Sequence, residues 1–349
     1  MKKYFLLFLL IAFSFSINAQ FNAEKDPLIT KSLASDDIKN ILSETTGGNI
    51  YVTGVNAAEA KIEVYVVPNI YHKNALSEKE IRERMAADYK LTVLVDNNHK
   101  LTATAKPVDK NMNWEKSLNF SFKIFVPKNV SVNLSTSGGN INLSNLSGTL
   151  EFSTSGGNLN LEKLSGKING TTSGGNINVE ESKDDIGLST SGGNIYAKNC
   201  EGKLRLSTSG GSLILSDLKG DIKATTSGGN VNGNDIGGDL VTHTSGGSIM
   251  LDKMSCNLET STSGGNIRIE VKELRQYVTV SNSGGHVDVI IPSGKGVDLK
   301  LSGEKIRTDK LANFSGKVED DEITGKLNGG GTMVTVKGGG HIYFGFAKN

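Results

Sequence analysis

The chain has 349 residues, with 38 Lys and Arg against 37 Asp and Glu, a formal net charge of +1. That balance excludes a dedicated nucleic-acid or anionic-membrane surface, which needs a strong basic excess. Apolar residues make up 36%, enough for a thin core, and no stretch after the first twenty residues is long and apolar enough to cross a membrane as a helix.

Residues 1–19 read as a secretory signal peptide. Lys2 and Lys3 precede an apolar run from Tyr4 to Phe15, and Ala19 supplies a small residue before Gln20. Ile17 departs from the usual small residue, which blurs the cut site. The run is too short for a transmembrane anchor, and no cysteine follows it to carry a lipid. The mature protein is therefore expected in the periplasm, on the outer-membrane surface or outside the cell.

Residues 20–43 form a polar lead-in with little pattern. Residues 44–125 are expected to hold the first strands and a helix-containing N-terminal cap. Thr45-Thr46-Gly47-Gly48-Asn49-Ile50 announces a phrase that recurs later, and Lys61 to Val67 alternates as a strand does. Ser77 with Glu80 makes a capping box that opens a helix from Glu78 to Tyr89. Leu91 to Val95, Leu101 to Ala105 and Leu118 to Phe125 read as strands.

Residues 126–291 are the regular array. The phrase S-G-G followed by Asn, Ser or His and an aliphatic residue starts at Ser137, Ser155, Ser173, Ser191, Ser209, Ser227, Ser245, Ser263 and Ser283, in steps of 18 except for a last step of 20. Within each unit, aliphatic residues recur every nine positions from Leu150 to Ile267. A second column lies two residues further on, and a third (Leu146, Leu164, Cys200, Leu218, Ile236, Met254) appears once per unit, interrupted at Ser182. Positions i and i+2 of a strand share a face, so these columns point inward. A lone strand pair cannot bury its apolar face, but stacked coils can. The expected fold is all-β: a single-rod parallel β-helix with two short strands per 18-residue coil and a small N-terminal elaboration. Glycine pairs are expected at corners that need positive φ, and the asparagines after them to form amide ladders. Residues 292–349 read as irregular coils and a C-terminal cap, with Phe344 and Phe346 closing the core.

Phe125-Val126-Pro127-Lys128-Asn129-Val130, the alternation of T-S-G-G-N-I with Leu164-Ser165-Gly166-Lys167-Ile168, and the late Asn328-Gly329-Gly330-Gly331 resemble the bacterial "putative adhesin" family of β-strand-repeat proteins, over roughly residues 44–346. The resemblance implies an exported, envelope-associated β-solenoid and carries over no catalytic residue.

No chemistry stands out, and no catalytic, cofactor-binding, metal or defined binding residue is assigned. Asp184 and Asp185 are adjacent and should face different sides. Glu162, Glu180, Glu201 and Asp217 are scattered outward positions, and the array has no loops to gather carboxylates. His72, His99, His243, His286 and His341 fall far apart in the chain. Calcium β-rolls need an Asp column that is missing, and Asn232 to Asp235 reads as a turn. A phosphate loop needs a strand-to-helix context that is also missing. Tyr196 is one exposed ring where a sugar platform needs several, and a regular Thr column (Thr136 to Thr262) reads as corner packing rather than an ice-binding face. Cys200 and Cys256 lie three coils apart, about 14 Å at the strand spacing, and should not be bridged. The reading is a non-enzymatic scaffold or adhesion module for a protein or glycan partner, docking on the faces or on a cap carrying Tyr65, Tyr71, Tyr89 and Trp114. The alternatives are an envelope-stress or regulatory binding component and a glycan-acting enzyme using the N-terminal elaboration.

Overall fold

The computed structural model describes residues 26–69, 76–109 and 117–347. The signal-peptide segment lies outside them, as do His72, Tyr71 and Trp114. The described residues form an all-β, solenoid-like fold in which the strands join one continuous hydrogen-bonded sheet.

The sequence period is also the hydrogen-bonding period. Leu150 pairs in parallel with Val132 on one side and Ile168 on the other. In the second half of the coil, Leu159 lies between Ile141 and Ile177. The same 18-residue step continues through Ile249, and the longer last step is absorbed after Ile269, where the register shifts. Every member of the nine-residue column from Leu150 to Ile267 is buried. Cys200 occupies the third column and is buried with it. Ser182 interrupts that column without leaving a gap in bonding, because its Oγ donates to the Glu180 carbonyl at 2.9 Å and accepts the Leu164 N–H at 3.1 Å.

The glycine pairs have a different cause from the one expected. None of the glycines in the nine phrases lies in the left-handed region. The second glycine is instead fixed by close approach. A Cβ on Gly157 would sit 1.8 Å from the Gly139 carbonyl oxygen, and one on Gly175 would sit 1.9 Å from that of Gly157. The left-handed positions fall at other corners. One residue after each second strand takes φ between +50° and +58° (Asn145, Lys163, Glu181, Asn199, Asp217, Asp235 and Lys253). Three residues further on, Gly148, Gly166, Gly202, Gly220 and Gly238 hold positive φ, and Asp184 takes φ +82° at the equivalent place.

Both ends are wound out of chain order. The strand Asn40–Glu44 sits between Lys100–Pro107 and Ser131–Thr136, with Ile41 beside Leu101 and Val132. Ile50–Val55 likewise sits between Leu118–Pro127 and Ile141–Ser144. The chain thus starts inside, places Lys100–Pro107 and Leu118–Pro127 on the far side of its first strands, and returns across them to begin the array. Antiparallel strands, Lys61–Pro68 and Tyr89–Val95, then turn the ladder at this end. The expected helix spans Glu78–Asp88, and its capping box is formed: Ser77 Oγ accepts the Glu80 N–H at 3.3 Å while the Glu80 carboxylate accepts the Ser77 N–H at 2.8 Å.

The other end repeats the device. Thr332–Gly338 inserts between Tyr277–Asn282 and Val297–Ser302. His341–Phe346 inserts between Val287–Ile291 and Lys305–Thr308. Phe344 is therefore an internal core residue beside Val289 and Thr308, not the closure expected of it. Closure comes from Glu322–Leu327 and Phe314–Val318, which run antiparallel beyond Val297–Ser302.

Candidate functional surfaces

The buried polar columns are structural. Each Thr of the corner column is buried. Thr172 Oγ1 donates to the Gly157 carbonyl at 2.8 Å and accepts the Gly175 N–H at 3.2 Å. The column therefore offers no hydroxyl array to solvent. The asparagines bond along the rod, but through the backbone: Asn158 N–H donates to Asn140 Oδ1 at 2.7 Å, and Asn176 N–H to Asn158 Oδ1 at 2.7 Å. A side-chain amide ladder of the expected kind runs in the neighbouring column, from Asn178 to Asn160 at 2.9 Å and from Asn160 to Asn142 at 2.8 Å.

The outward faces carry mixed charge in register. Lys167, Asp185, Lys203 and Asp221 stack as cross-coil neighbours of alternating sign, which favours this pairing over any slipped one. Arg205 forks onto Asp221 at 2.6 Å and holds its carboxyl below the usual range. On the other face, Tyr196 stands 40% exposed beside Ile214, and Met250 is 48% exposed beyond Asn232. Tyr196 is thus exposed as its position implied.

The carboxylates expected to be scattered are partly gathered by the stacking: Glu162 and Glu180 are cross-strand neighbours that line one depression. Asp184 accepts the Gly166 N–H at 2.9 Å. Glu162 meets Lys163 at 2.6 Å and Glu180 meets Lys198 at 3.4 Å. Glu201 and Asp217 line one corner depression together with Asp235, Lys219 and Arg275, with Glu201 beside Lys219 across the strands. Among the described residues no group of three or more His, Cys, Asp or Glu is placed to hold a metal ion. Asp235 is the left-handed corner of a coil, as its turn-like sequence suggested.

Of the cap aromatics within the described residues, Tyr65 is buried, donates its O–H to Glu63 at 2.9 Å, and has its phenol pushed up to about 12 by burial. Tyr89 packs on Phe120 at 4.8 Å, and its oxygen accepts the Leu118 N–H at 2.8 Å. Both are part of the packing rather than a docking platform. Cys200 and Cys256 are buried and free, and burial pushes both thiols up, Cys256 to about 12.

The structure does bring two distant histidines together. His286, just before the strand Val287–Ile291, and His341, at the start of the adjacent parallel strand, have ring centroids 5.3 Å apart. Their local phrases, Gly284-Gly285-His286-Val287 and Gly339-Gly340-His341-Ile342, occupy the same place in two neighbouring coils. That shared phrase was the available signal, hidden by the intervening 54 residues. Asp288, Lys305, Arg307 and Tyr343 complete the lining of a shallow depression there.

No family model and no curated protein matches the chain. Two solved structures align with 91% of it: a "putative cell adhesion protein" from Clostridium sporogenes, at 12% identity over 98% of that chain with a TM-score of 0.19, and a "putative adhesin" from Bacteroides fragilis, at 13% identity over 96% of that chain with a TM-score of 0.24. Superpositions of this quality carry no argument about fold or role, which rest on the residues of this chain. No helix among the described residues is long and apolar enough to cross a membrane.

Proposed function

We propose that this chain is an exported, non-enzymatic adhesin-like scaffold, a single-rod parallel β-helix that holds an extended polar surface against a protein or glycan of a cell envelope. One observation carries the reading: the 18-residue pairing runs from Val132 through Thr262 with turns of a few residues between strands. Such winding leaves no loop long enough to fold over a substrate, whereas stacked coils give a stiff face many coils long. Residues 20–43 serve as a lead-in, 44–125 as the N-terminal cap, 126–291 as the rod and 292–349 as the C-terminal closure.

The test is binding of purified, labelled mature protein to isolated bacterial envelopes, before and after protease and before and after periodate. Saturable binding that one of the two treatments abolishes supports the reading and tells a protein partner from a glycan. Binding that never saturates, or catalytic shortening of an envelope polysaccharide by the protein, overturns it.

A further inference from the structure

The depression at the C-terminal end gathers two cations, two imidazoles and one exposed aromatic ring. Its residues form a grid across three neighbouring parallel strands: His341 and Lys305 are cross-strand partners with His286, just before its strand, beside His341, and Asp288, Tyr343 and Arg307 form the next row. On the rod, Arg205, Lys163 and Lys198 are neutralised by carboxylates within 4 Å, whereas Lys167, Lys203 and Lys223 make no such pair among the described residues. Lys305 and Arg307 make no such ion pair among the described residues, and Asp288 is the one acid in the lining. Beside these two cations stand two imidazoles, whose ring N–H groups add donors.

The ring at the centre of the grid is anchored through its hydroxyl. Tyr343 O–H donates to Asp309 Oδ1 at 2.9 Å, and Asp309 Oδ2 accepts the Phe346 N–H at 3.1 Å. The ring remains 37% exposed. An exposed aromatic face anchored at its hydroxyl and flanked by Lys305, Arg307 and imidazole donors suits a ligand with an apolar face and an anionic edge. An acidic sugar has both: C–H groups for the ring, and a carboxylate for the Arg307 fork and Lys305.

We propose that His286, His341, Lys305, Arg307 and Tyr343 form a binding site for a uronic-acid unit of an acidic polysaccharide. The site stands apart from the adhesin-like reading, because it needs only the last coils and no extended face.

The probe is a trigalacturonate, with its carboxyl-reduced neutral counterpart and inorganic sulfate as the other arms. Binding is followed by calorimetry and by the side-chain NMR signals of His286 and His341. The expected result is saturable binding of the trigalacturonate with both imidazole signals shifting, weakened about tenfold or more by Lys305→Gln with Arg307→Gln, and weakened again by Tyr343→Ser. These are exposed positions, and an unchanged far-UV spectrum and melting temperature show the variants fold. Equal binding of the neutral trisaccharide, or undiminished binding by the Lys305→Gln, Arg307→Gln variant, overturns the proposal. Sulfate shifting the imidazoles as strongly as the sugar does would make the site one for a bare anion and overturn the saccharide assignment. Envelope binding by the rod, measured separately with the same variant, stays intact if only this site is lost.

Discussion

Thr154 Oγ1 donates to the Gly139 carbonyl oxygen 2.9 Å away, fifteen residues back and one coil below. The same oxygen accepts the Gly157 N–H of its own coil at 3.2 Å. This bracket repeats with Thr172, Thr190, Thr208, Thr226, Thr244 and Thr262. It ties each corner to the one before through a buried hydroxyl, and it makes the S-G-G corner a structural joint rather than a ligand loop.

Replacing that hydroxyl by a methyl keeps the shape and removes both bonds. Thr190→Val leaves the Gly175 carbonyl and the Gly193 N–H without the partner each now has. The expected loss in urea unfolding is about 1–3 kcal/mol. A variant as stable as the parent would show that the bracket contributes nothing.

The two glycines of one phrase should respond in opposite ways. A Cβ on Gly174 meets its nearest neighbour at 3.7 Å, an ordinary contact, whereas one on Gly175 would stand 1.9 Å from the Gly157 carbonyl oxygen. Gly174→Ala is expected to change the melting temperature little. Gly175→Ala must separate two coils, so it should unfold the protein or lower the midpoint sharply. Equal effects at the two positions would contradict the close-approach account.

Ser43 is fully buried, and its Oγ finds no hydrogen-bond partner. It stands in an inward column beside Ala103 and Leu134. Ser43→Ala removes an unsatisfied hydroxyl and is expected to hold or raise stability, by up to about 1 kcal/mol. A clear loss in thermal unfolding would mean that this hydroxyl has a partner after all.

The buried thiols predict an alkaline limit. An unfolded cysteine ionises near pH 8.5, while burial raises Cys256 to about 12. Above the unfolded value the native state holds a proton that the unfolded state has lost, so stability is complete below about pH 8.5 and declines toward pH 12. Cys256→Ala should flatten that decline in denaturation curves taken across the range. Native protein should also resist thiol alkylation at pH 8 and react at both cysteines once unfolded.

The rod itself was legible because a strict period has one cheap solution. Columns such as Leu150, Ile168 and Ile186 can be buried together only if coils of 18 residues stack. The capping box at Ser77 was legible for a similar reason, since both of its bonds are local. Three things were not. The second glycine of each phrase is required by a carbonyl in the coil below, a through-space cause that a φ argument misses. The tucked-in strands Asn40–Glu44 and Thr332–Gly338 pair across 60 and 56 residues, with Asn40 against Lys100 and Met333 against Tyr277, and no period marks such distances. The meeting of His286 and His341 follows from the second insertion. Asn282 adds a smaller lesson: it breaks the Thr column in sequence yet keeps the bracket, its amide donating to the Gly265 carbonyl at 2.8 Å and accepting the Gly285 N–H at 3.1 Å.

Removal of whole coils tests the central claim most directly. Deleting residues 173–208 takes out two complete units and joins Thr172 to Ser209, which restores the same corner. The account predicts a folded protein with the parent's far-UV spectrum, a single cooperative transition, and a maximum dimension in small-angle scattering shorter by about 10 Å. Deleting residues 173–199 takes out a coil and a half and should unfold the array, because it sets the two unlike halves of neighbouring coils against each other. If both deletions behave alike, whether folded or unfolded, the 18-residue coil is not the unit of this protein.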